Sequence, residues 1–164
     1  MREVAGGAKV ALLLLLVGAA GGCSLGSPST FALNSASVDS SYICPAGSDN
    51  APYDLHATVD LRNGTSSEVT IKSVAAVMTL AVVKGGWLER VGDKYEAGGV
   101  TVTPATVGAG SPASLNVTIP IACTNGKTPS GGSSYGEYSV ALKVTTSSGT
   151  YTIESKNRHR IVAA

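Results

Sequence analysis

The sequence predicts an all-β protein, an antiparallel β-sandwich of about seven strands. Segments 53–61, 114–123 and 137–146 alternate apolar and polar residues, which is the period of a half-buried strand. Turn-forming residues separate these segments, and no segment has a helical pattern of comparable strength. The 164 residues are 43% hydrophobic, which is enough for the core of one domain. We therefore expect a single sandwich domain at residues 37–163.

Residues 1–22 have the composition of an export signal peptide. A basic start is followed by an apolar core at 10–17 and by small residues up to Gly22. The apolar core is much shorter than the roughly 20 residues that a membrane-spanning helix needs. We therefore expect the segment to be removed, although a retained membrane helix is the alternative.

The charge of the remaining chain excludes one class of partner. Removing Arg2, Glu3 and Lys9 from the 12 basic and 11 acidic residues leaves ten of each. A neutral domain has no basic excess that could follow a phosphate backbone. We expect no nucleic-acid partner.

The first half of the domain combines one clear strand with one ambiguous segment. Residues 53–61 alternate cleanly and are followed by a turn at 62–67. In segment 69–83 the apolar residues also fit helical spacing, but β-branched residues are frequent and favour a strand. We predict one long or bulged strand there.

The second half contains shorter strands and one long loop. Residues 85–99 form a connection with a short strand at 87–91, and 100–107 form a strand interrupted at Pro104, which belongs at an edge or a crossing. After the strand at 114–123, residues 124–136 have the composition of an exposed loop. Segment 137–146 then begins a terminal hairpin.

The end of the signal segment resembles the lipobox of bacterial lipoproteins. Gly21 and Gly22 match the small positions before the modified Cys23, while the third position upstream, usually Leu, is Ala20. The resemblance implies a lipid on Cys23 as the membrane contact, with residues 23–36 as a flexible tether. Cleavage after Ala19 is the alternative. The protein is thus expected to be exported and held at the cell membrane or envelope, or otherwise secreted.

The three cysteines favour one disulfide bond. If Cys23 carries a lipid, Cys44 and Cys123 remain to pair in an oxidising compartment. Two unpaired buried thiols are the alternative. We expect the disulfide.

The strand pattern of residues 37–163 resembles immunoglobulin-like and fibronectin type III-like sandwiches of bacterial surface proteins. The resemblance is one of pattern only, because Trp87 lies 43 residues after Cys44, too far for a true immunoglobulin domain. It implies a sandwich that presents loops and sheet edges to a partner.

Sequence motifs for catalysis and metal binding are weak. Residues 132–136 match G-x-S-x-G, but a loop precedes and a strand follows, whereas a hydrolase nucleophile needs a strand before it and a helix after it. The two histidines are far apart; we expect His56 on the solvent side of a strand and His159 in a charged C-terminal end. We expect no enzyme activity, no cofactor and no metal.

The leading hypothesis is a non-catalytic binding or structural module with an unknown protein or polysaccharide partner. Large amphipathic side chains dominate binding sites, so the candidate contacts are Trp87, Tyr135 and Tyr138. For Trp87, a core or edge position is the alternative. A second hypothesis is an inhibitor or accessory subunit of another envelope protein that acts through the loop 124–136. The remote third is a serine hydrolase that uses Ser134.

Overall fold

The computed structural model describes residues 30–125 and 134–163. These residues form eleven β-strands and no helix, and seven of the strands have five or more residues. The strands are β1 Phe31–Val38, β2 Ser41–Cys44, β3 Ala51–Asn63, β4 Val69–Lys84, β5 Lys94–Ala97, β6 Thr101–Thr103, β7 Thr106–Val107, β8 Pro112–Cys123, β9 Ser134–Thr146, β10 Thr150–Glu154 and β11 His159–Ala163. The predicted all-β class is confirmed. The predicted signal peptide 1–22, Cys23 and the first part of the tether lie outside the described residues.

The strands form two sheets that pack face to face. The four-stranded sheet has the order β1-β3-β8-β6. The seven-stranded sheet has the order β2-β11-β9-β4-β5, and in it β10 also pairs with β9 and β7 with β4. Strand β2 runs parallel to β11, whereas the other strand pairs are antiparallel. The predicted sandwich is confirmed. Within the described segments, no helix has the length and apolar character needed to cross a membrane.

The core lies between the sheets and is filled by every second residue of the long strands. Alternation turns one side of each strand inward. The largest fully buried apolar side chains are Leu55, Val59, Leu61, Leu80, Leu115, Val117, Ile119, Val140, Leu142 and Val144. They come from β3 and β8 on one side and from β4 and β9 on the other. The predicted strands at 53–61, 114–123 and 137–146 are therefore confirmed.

Strand β4 is the long, bulged strand that the β-branched residues predict. Its pairing with β9 shifts register between Ile71 and Ser73 and again between Leu80 and Val82. Each bulge inserts one extra residue and so changes which residues face inward. The bulge between Ile71 and Ser73 turns Ile71 and Val74 inward although they are three residues apart, which breaks the strict alternation at the start of β4.

The sandwich begins earlier than predicted. Strand β1 pairs with β3 from Phe31 onward, so the prediction of a flexible tether is wrong for residues 31–36. Phe31, Ala36 and Val38 are buried in the core, and a register shift between Leu33 and Ser35 breaks the alternation. Because of this bulge, β1 lacks the strict alternation of apolar and polar residues by which a strand is predicted from sequence.

The segment from 85 to 107 agrees with the prediction in one part and differs in another. Pro104 lies between β6 of the four-stranded sheet and β7, which pairs with β4 of the other sheet. The chain crosses between the sheets there, as predicted. No strand forms at 87–91; the described loop 85–93 leads instead to β5.

The disulfide bond joins the two sheets at one end of the sandwich. Cys44 ends β2 and Cys123 ends β8, and their sulfur atoms are bonded. The predicted pairing is thus present. It closes a loop with a sequence separation of 79 residues, which stabilises the fold by about 4.5 kcal/mol in the chain-entropy model. This end, where β3 begins and β8 ends, is called the Cys123 end below, and the opposite end is the Asn63 end.

His159 is buried, so its expected place in a solvated, charged C-terminal end is wrong. Its side chain is 1% exposed. The Nδ1 atom lies 2.7 Å from the Asp39 carbonyl oxygen and the Nε2 atom lies 2.8 Å from the Tyr53 hydroxyl. Strand alternation turns His159 inward, while Arg158 and Arg160 on either side point to solvent. The neutral imidazole fits both partners, since Nδ1–H donates to the carbonyl and Nε2 accepts from the hydroxyl.

Protonation of His159 should destabilise the fold. Burial lowers the pKa of His159 below its ordinary value of 6.5, although the hydrogen bond to Asp39 acts in the opposite direction. The unfolded chain then binds more protons, so the stability contribution is complete above pH 6.5 and is lost as the pH falls toward the lowered pKa. We expect the free energy of unfolding, measured with urea, to decrease between about pH 7.5 and about pH 5.

Two variants separate this effect from general acid sensitivity. The variant His159→Gln should be less stable at neutral pH but should lose less stability over the same interval. The variant His56→Gln removes an exposed imidazole and leaves the buried one, so it should keep the wild-type decrease. An unchanged pH dependence in His159→Gln would contradict the assignment.

Candidate functional site

The described residues form a cleft of about 460 Å³ at the Cys123 end of the sandwich. One wall is the loop 85–93, a second is the end of β8 with the residues after it, and β9, β11, β5 and the residue before β3 complete the lining. The lining residues are Asn50, Gly86, Trp87, Leu88, Glu89, Tyr95, Ala122, Cys123, Thr124, Asn125, Tyr138, Ile161 and Ala163. Its size and its mixture of aromatic, aliphatic and polar groups are those of a ligand site.

A chain of hydrogen bonds connects the loop wall to the floor of the cleft. The Trp87 Nε1–H donates to the Tyr138 hydroxyl oxygen over 3.2 Å, and the Tyr138 hydroxyl donates to the Glu89 carboxylate. Burial, followed by the hydrogen bond to Glu89, raises the pKa of Tyr138. The Tyr138 hydroxyl therefore keeps its proton and acts as the donor to Glu89.

Two glycines allow the loop to approach β9 closely. The Trp87 ring lies over Gly136, where an added Cβ would come within 2.7 Å of the ring. Gly85 has a φ of 74° and lies against Ser134, where an added Cβ would be 2.5 Å from the hydroxyl oxygen. Gly85 thus supplies both the left-handed backbone and the space that the chain needs to turn toward the cleft.

The rim of the cleft exposes apolar side chains. Leu88 is 78% exposed and Tyr95 is 44% exposed, and both line the cleft; Val91, in the same loop as Leu88, is 64% exposed. All three lie within one stretch of eight residues, with Leu88 and Val91 in the loop before β5 and Tyr95 in β5 itself. Clustered exposed apolar groups of this kind mark contact surfaces on soluble domains.

The structure brings two of the three predicted contact residues together. Trp87 is partly buried against the core and lines the cleft, so it combines the two alternatives that the sequence left open. Tyr138 is 6% exposed and supplies the floor. Their role in binding stays a prediction.

Tyr135 lies on the other face of the sheet, because it is three positions from Tyr138 and strand residues alternate between the two faces. Its ring packs under the Arg160 guanidinium, with 4.4 Å between Cζ and the ring centroid, and the Lys84 Nζ is 5.8 Å away. Arg160 also donates to Glu137 over 2.9 Å from its Nε, and this bond lowers the pKa of Glu137. Tyr135 therefore belongs to a separate basic surface.

The predicted loop 124–136 is only partly a loop. Thr124 and Asn125 line the cleft, residues 126–133 lie outside the described segments, and 134–136 are the start of β9. Ser134 is buried in this strand. The described part of the G-x-S-x-G motif thus lacks the turn into a helix that a nucleophile elbow requires.

In the described segments, no group of three or more His, Cys, Asp and Glu residues could hold a metal ion.

Sequence reasoning missed the polar and rim residues of the cleft. Glu89, Leu88 and Tyr95 belong to the stretch 87–97, where a short strand was predicted at 87–91. A strand would bury alternate residues of that segment, whereas the loop leaves Leu88 and Val91 exposed. The run of apolar residues without strict alternation was the available signal.

Comparisons with known proteins give no family for this chain, so the fold is assigned from its strand order. No family model matches the chain, and no curated protein matches its sequence. Three solved structures resemble it weakly. The ASH/PapD-like domain of human CEP192 (PapD-like domain 7) is 12% identical, with 97% of this chain and 98% of that chain covered and a TM-score of 0.31.

The other two are bacterial. AggA, the major subunit of aggregative adherence fimbriae type I from Escherichia coli, is 12% identical over 82% of this chain and 95% of that chain, with a TM-score of 0.35. The Vibrio cholerae VesB protease is 13% identical over 78% of this chain and 32% of that chain, with a TM-score of 0.26. At such scores the likeness carries no argument about function.

The strand order defines the class of this domain. The order β1-β3-β8-β6 against β11-β9-β4-β5 is that of the two sheets of an immunoglobulin-like sandwich, with β5 as an added edge strand. The disulfide differs from that of antibody domains, because it joins β2 to β8 at one end. The chain therefore contains an immunoglobulin-like β-sandwich with a cleft at its Cys123 end.

Filling the space above Gly136 should displace Trp87. In Gly136→Ala the new methyl group would overlap the indole ring, so the ring must move and its hydrogen bond to Tyr138 must break. We expect a red shift of tryptophan emission and a loss of about 1–3 kcal/mol in the free energy of unfolding.

Gly86→Ala is the matched control for this substitution. Gly86 also lies beside Trp87, but an added Cβ there meets no atom within 4 Å apart from those of its two chain neighbours. Emission should stay at the wild-type wavelength in this variant. If Gly136→Ala also kept the wild-type emission, the close packing of Trp87 on β9 would be refuted.

Proposed function

We propose that this protein is a non-catalytic binding module, held at the cell envelope through a lipid on Cys23, which takes its ligand in the cleft at the Cys123 end. The observation that carries the proposal is the cleft itself. A partly buried indole is held there by a hydrogen bond to Tyr138, and the exposed Leu88 and Tyr95 line the same cleft. Rigid aromatic anchors within a ring of other contacts are typical of binding sites.

The path of the chain supports a division between an anchored end and a binding end. Phe31 pairs with Asn63, so the chain enters the sandwich at the Asn63 end. Strand β3 has 13 residues and spans the domain to the cleft, a distance of about 40 Å at a rise of 3.3 Å per residue.

The short chain before β1 limits the distance between the domain and an anchor. Residues 24–30 can extend over at most about 25 Å. A lipid on Cys23 would therefore hold the Asn63 end near the membrane, and the cleft would face away from it. The proposed anchor and the proposed ligand site are compatible in this arrangement.

Lipid attachment can be tested directly. Cells that express the full chain are labelled with an alkyne analogue of palmitate, and we expect the label on the wild-type protein and its absence from Cys23→Ser. The protein should fractionate with membranes only when it is labelled. Wild-type protein that is free of label and soluble in the medium would refute the anchor, while leaving the binding role of the cleft open.

The cleft can be tested with a photo-reactive benzoylphenylalanine in place of Leu88 in intact cells. We expect discrete cross-linked products, because Leu88 is exposed at the rim. The same residue in place of Ser66, which is exposed near the Asn63 end, is the control. Products that are identical at the two positions, or none from position 88, would count against the cleft as the binding end.

A further inference from the structure

We infer that the cleft recognises the positively charged side chain of a polypeptide partner, the ammonium of Lys or the guanidinium of Arg. The inference rests on the proposed binding function and names the chemistry of its ligand. It follows from the charges that line the cleft, from the accepting capacity left on the Glu89 carboxylate, and from the aromatic rings.

Charge is the first argument. Glu89 is the only charged side chain among the described residues that line the cleft. Asp93 lies close enough for its charge to act on Tyr138 in the same direction as that of Glu89. The basic residues of this part of the chain, Arg90 and Lys94, are exposed and do not line the cleft. The cleft therefore attracts cations and repels anions.

The hydrogen-bond inventory is the second argument. Trp87 has one donor, which Tyr138 accepts, and Tyr138 has one donor, which Glu89 accepts. The Trp87 N–H and the Tyr138 O–H are thus both already paired within this series of hydrogen bonds. A carboxylate has two oxygens and can accept several bonds, so Glu89 retains accepting capacity. A group that binds to the Glu89 carboxylate must therefore donate hydrogen bonds.

Aromatic rings are the third argument. Trp87 and Tyr95 line the same cleft as the Glu89 carboxylate. A cation near an aromatic ring is attracted by the negative face of the ring, and tryptophan gives the strongest attraction. Rings beside a carboxylate therefore suit an organic cation better than a hydrated metal ion.

The rim points to a polypeptide rather than a free small cation. Leu88 lines the cleft, is exposed, and offers an apolar contact that an isolated ammonium compound would not use. A Lys or Arg side chain enters with an aliphatic stem and brings backbone and neighbouring residues to the rim. The charged cleft and its apolar rim are then both in contact with the partner.

The test uses three short capped peptides that differ at one position. The first contains Lys, the second contains Nε-acetyl-lysine, and the third contains Glu. The chain has one tryptophan, so its indole N–H resonance reports on Trp87 alone. We expect the Lys peptide to shift this resonance in a saturable manner, with weak or no shift from the other two.

Glu89→Gln keeps an oxygen that can accept the Tyr138 hydroxyl but removes the charge. We expect its dissociation constant for the Lys peptide to rise by about tenfold, as for the loss of one charged partner of a hydrogen bond. Glu96→Gln is the control, since Glu96 is an exposed carboxylate that does not line the cleft. It should bind as the wild type does.

The outcomes separate this inference from the proposed function. Equal binding of the Lys and acetyl-lysine peptides, no binding of the Lys peptide, or wild-type affinity in Glu89→Gln would overturn the preference for a cation. A neutral methyl glycoside that shifts the indole resonance in place of the peptides would also overturn it. In each of these cases, cross-linking from position 88 would still support the cleft as a binding site.

Discussion

The pairing of β4 with β9 is the constraint on which the rest of the structure depends. Side chains alternate between the two faces of a strand, so a slip of one residue would move each of them to the other side. The bulge between Leu80 and Val82 sets the register at the Cys123 end. Strand β9 itself alternates without a break across this bulge, which places Gly136 and Tyr138 inward, where Trp87 needs space and a partner, and Glu137 outward. The floor of the cleft is therefore a consequence of strand register.

The sequence allows the prediction of elements whose pattern is local, and it fails where the pattern is interrupted. The segments 53–61 and 114–123 are strands because their alternation is unbroken. Strand β1 was missed because its bulge disturbs the alternation. The cleft was not predictable from local pattern, since Trp87 and Tyr138 are 51 residues apart and meet only through pairing. His159 was misplaced because the charged residues beside it face solvent while its own side chain faces inward.

Net charge conceals a separation of charges on the surface. The chain has a formal charge of +1, and this net value does not describe its individual faces. On the outer face of the seven-stranded sheet, Arg158 and Arg160 lie beside Glu137. In the cleft, Glu89 is the one charged side chain among the described residues that form the lining. A charged ligand would therefore meet opposite potentials at two sites of an almost neutral domain.

The two walls of the cleft are held in place by different means, and both reduce the cost of binding. The wall after β8 is fixed by the disulfide and by Asn125, whose Nδ2 donates to the Cys44 carbonyl over 2.9 Å. The loop wall is held by the hydrogen bonds from Trp87 through Tyr138 to Glu89. Ordering a free side chain on binding costs about 0.5–1.5 kcal/mol. Because Trp87 and Tyr138 are already ordered, little of this cost would remain for the proposed ligand, whose affinity would depend mainly on how well it matches Glu89 and the rim.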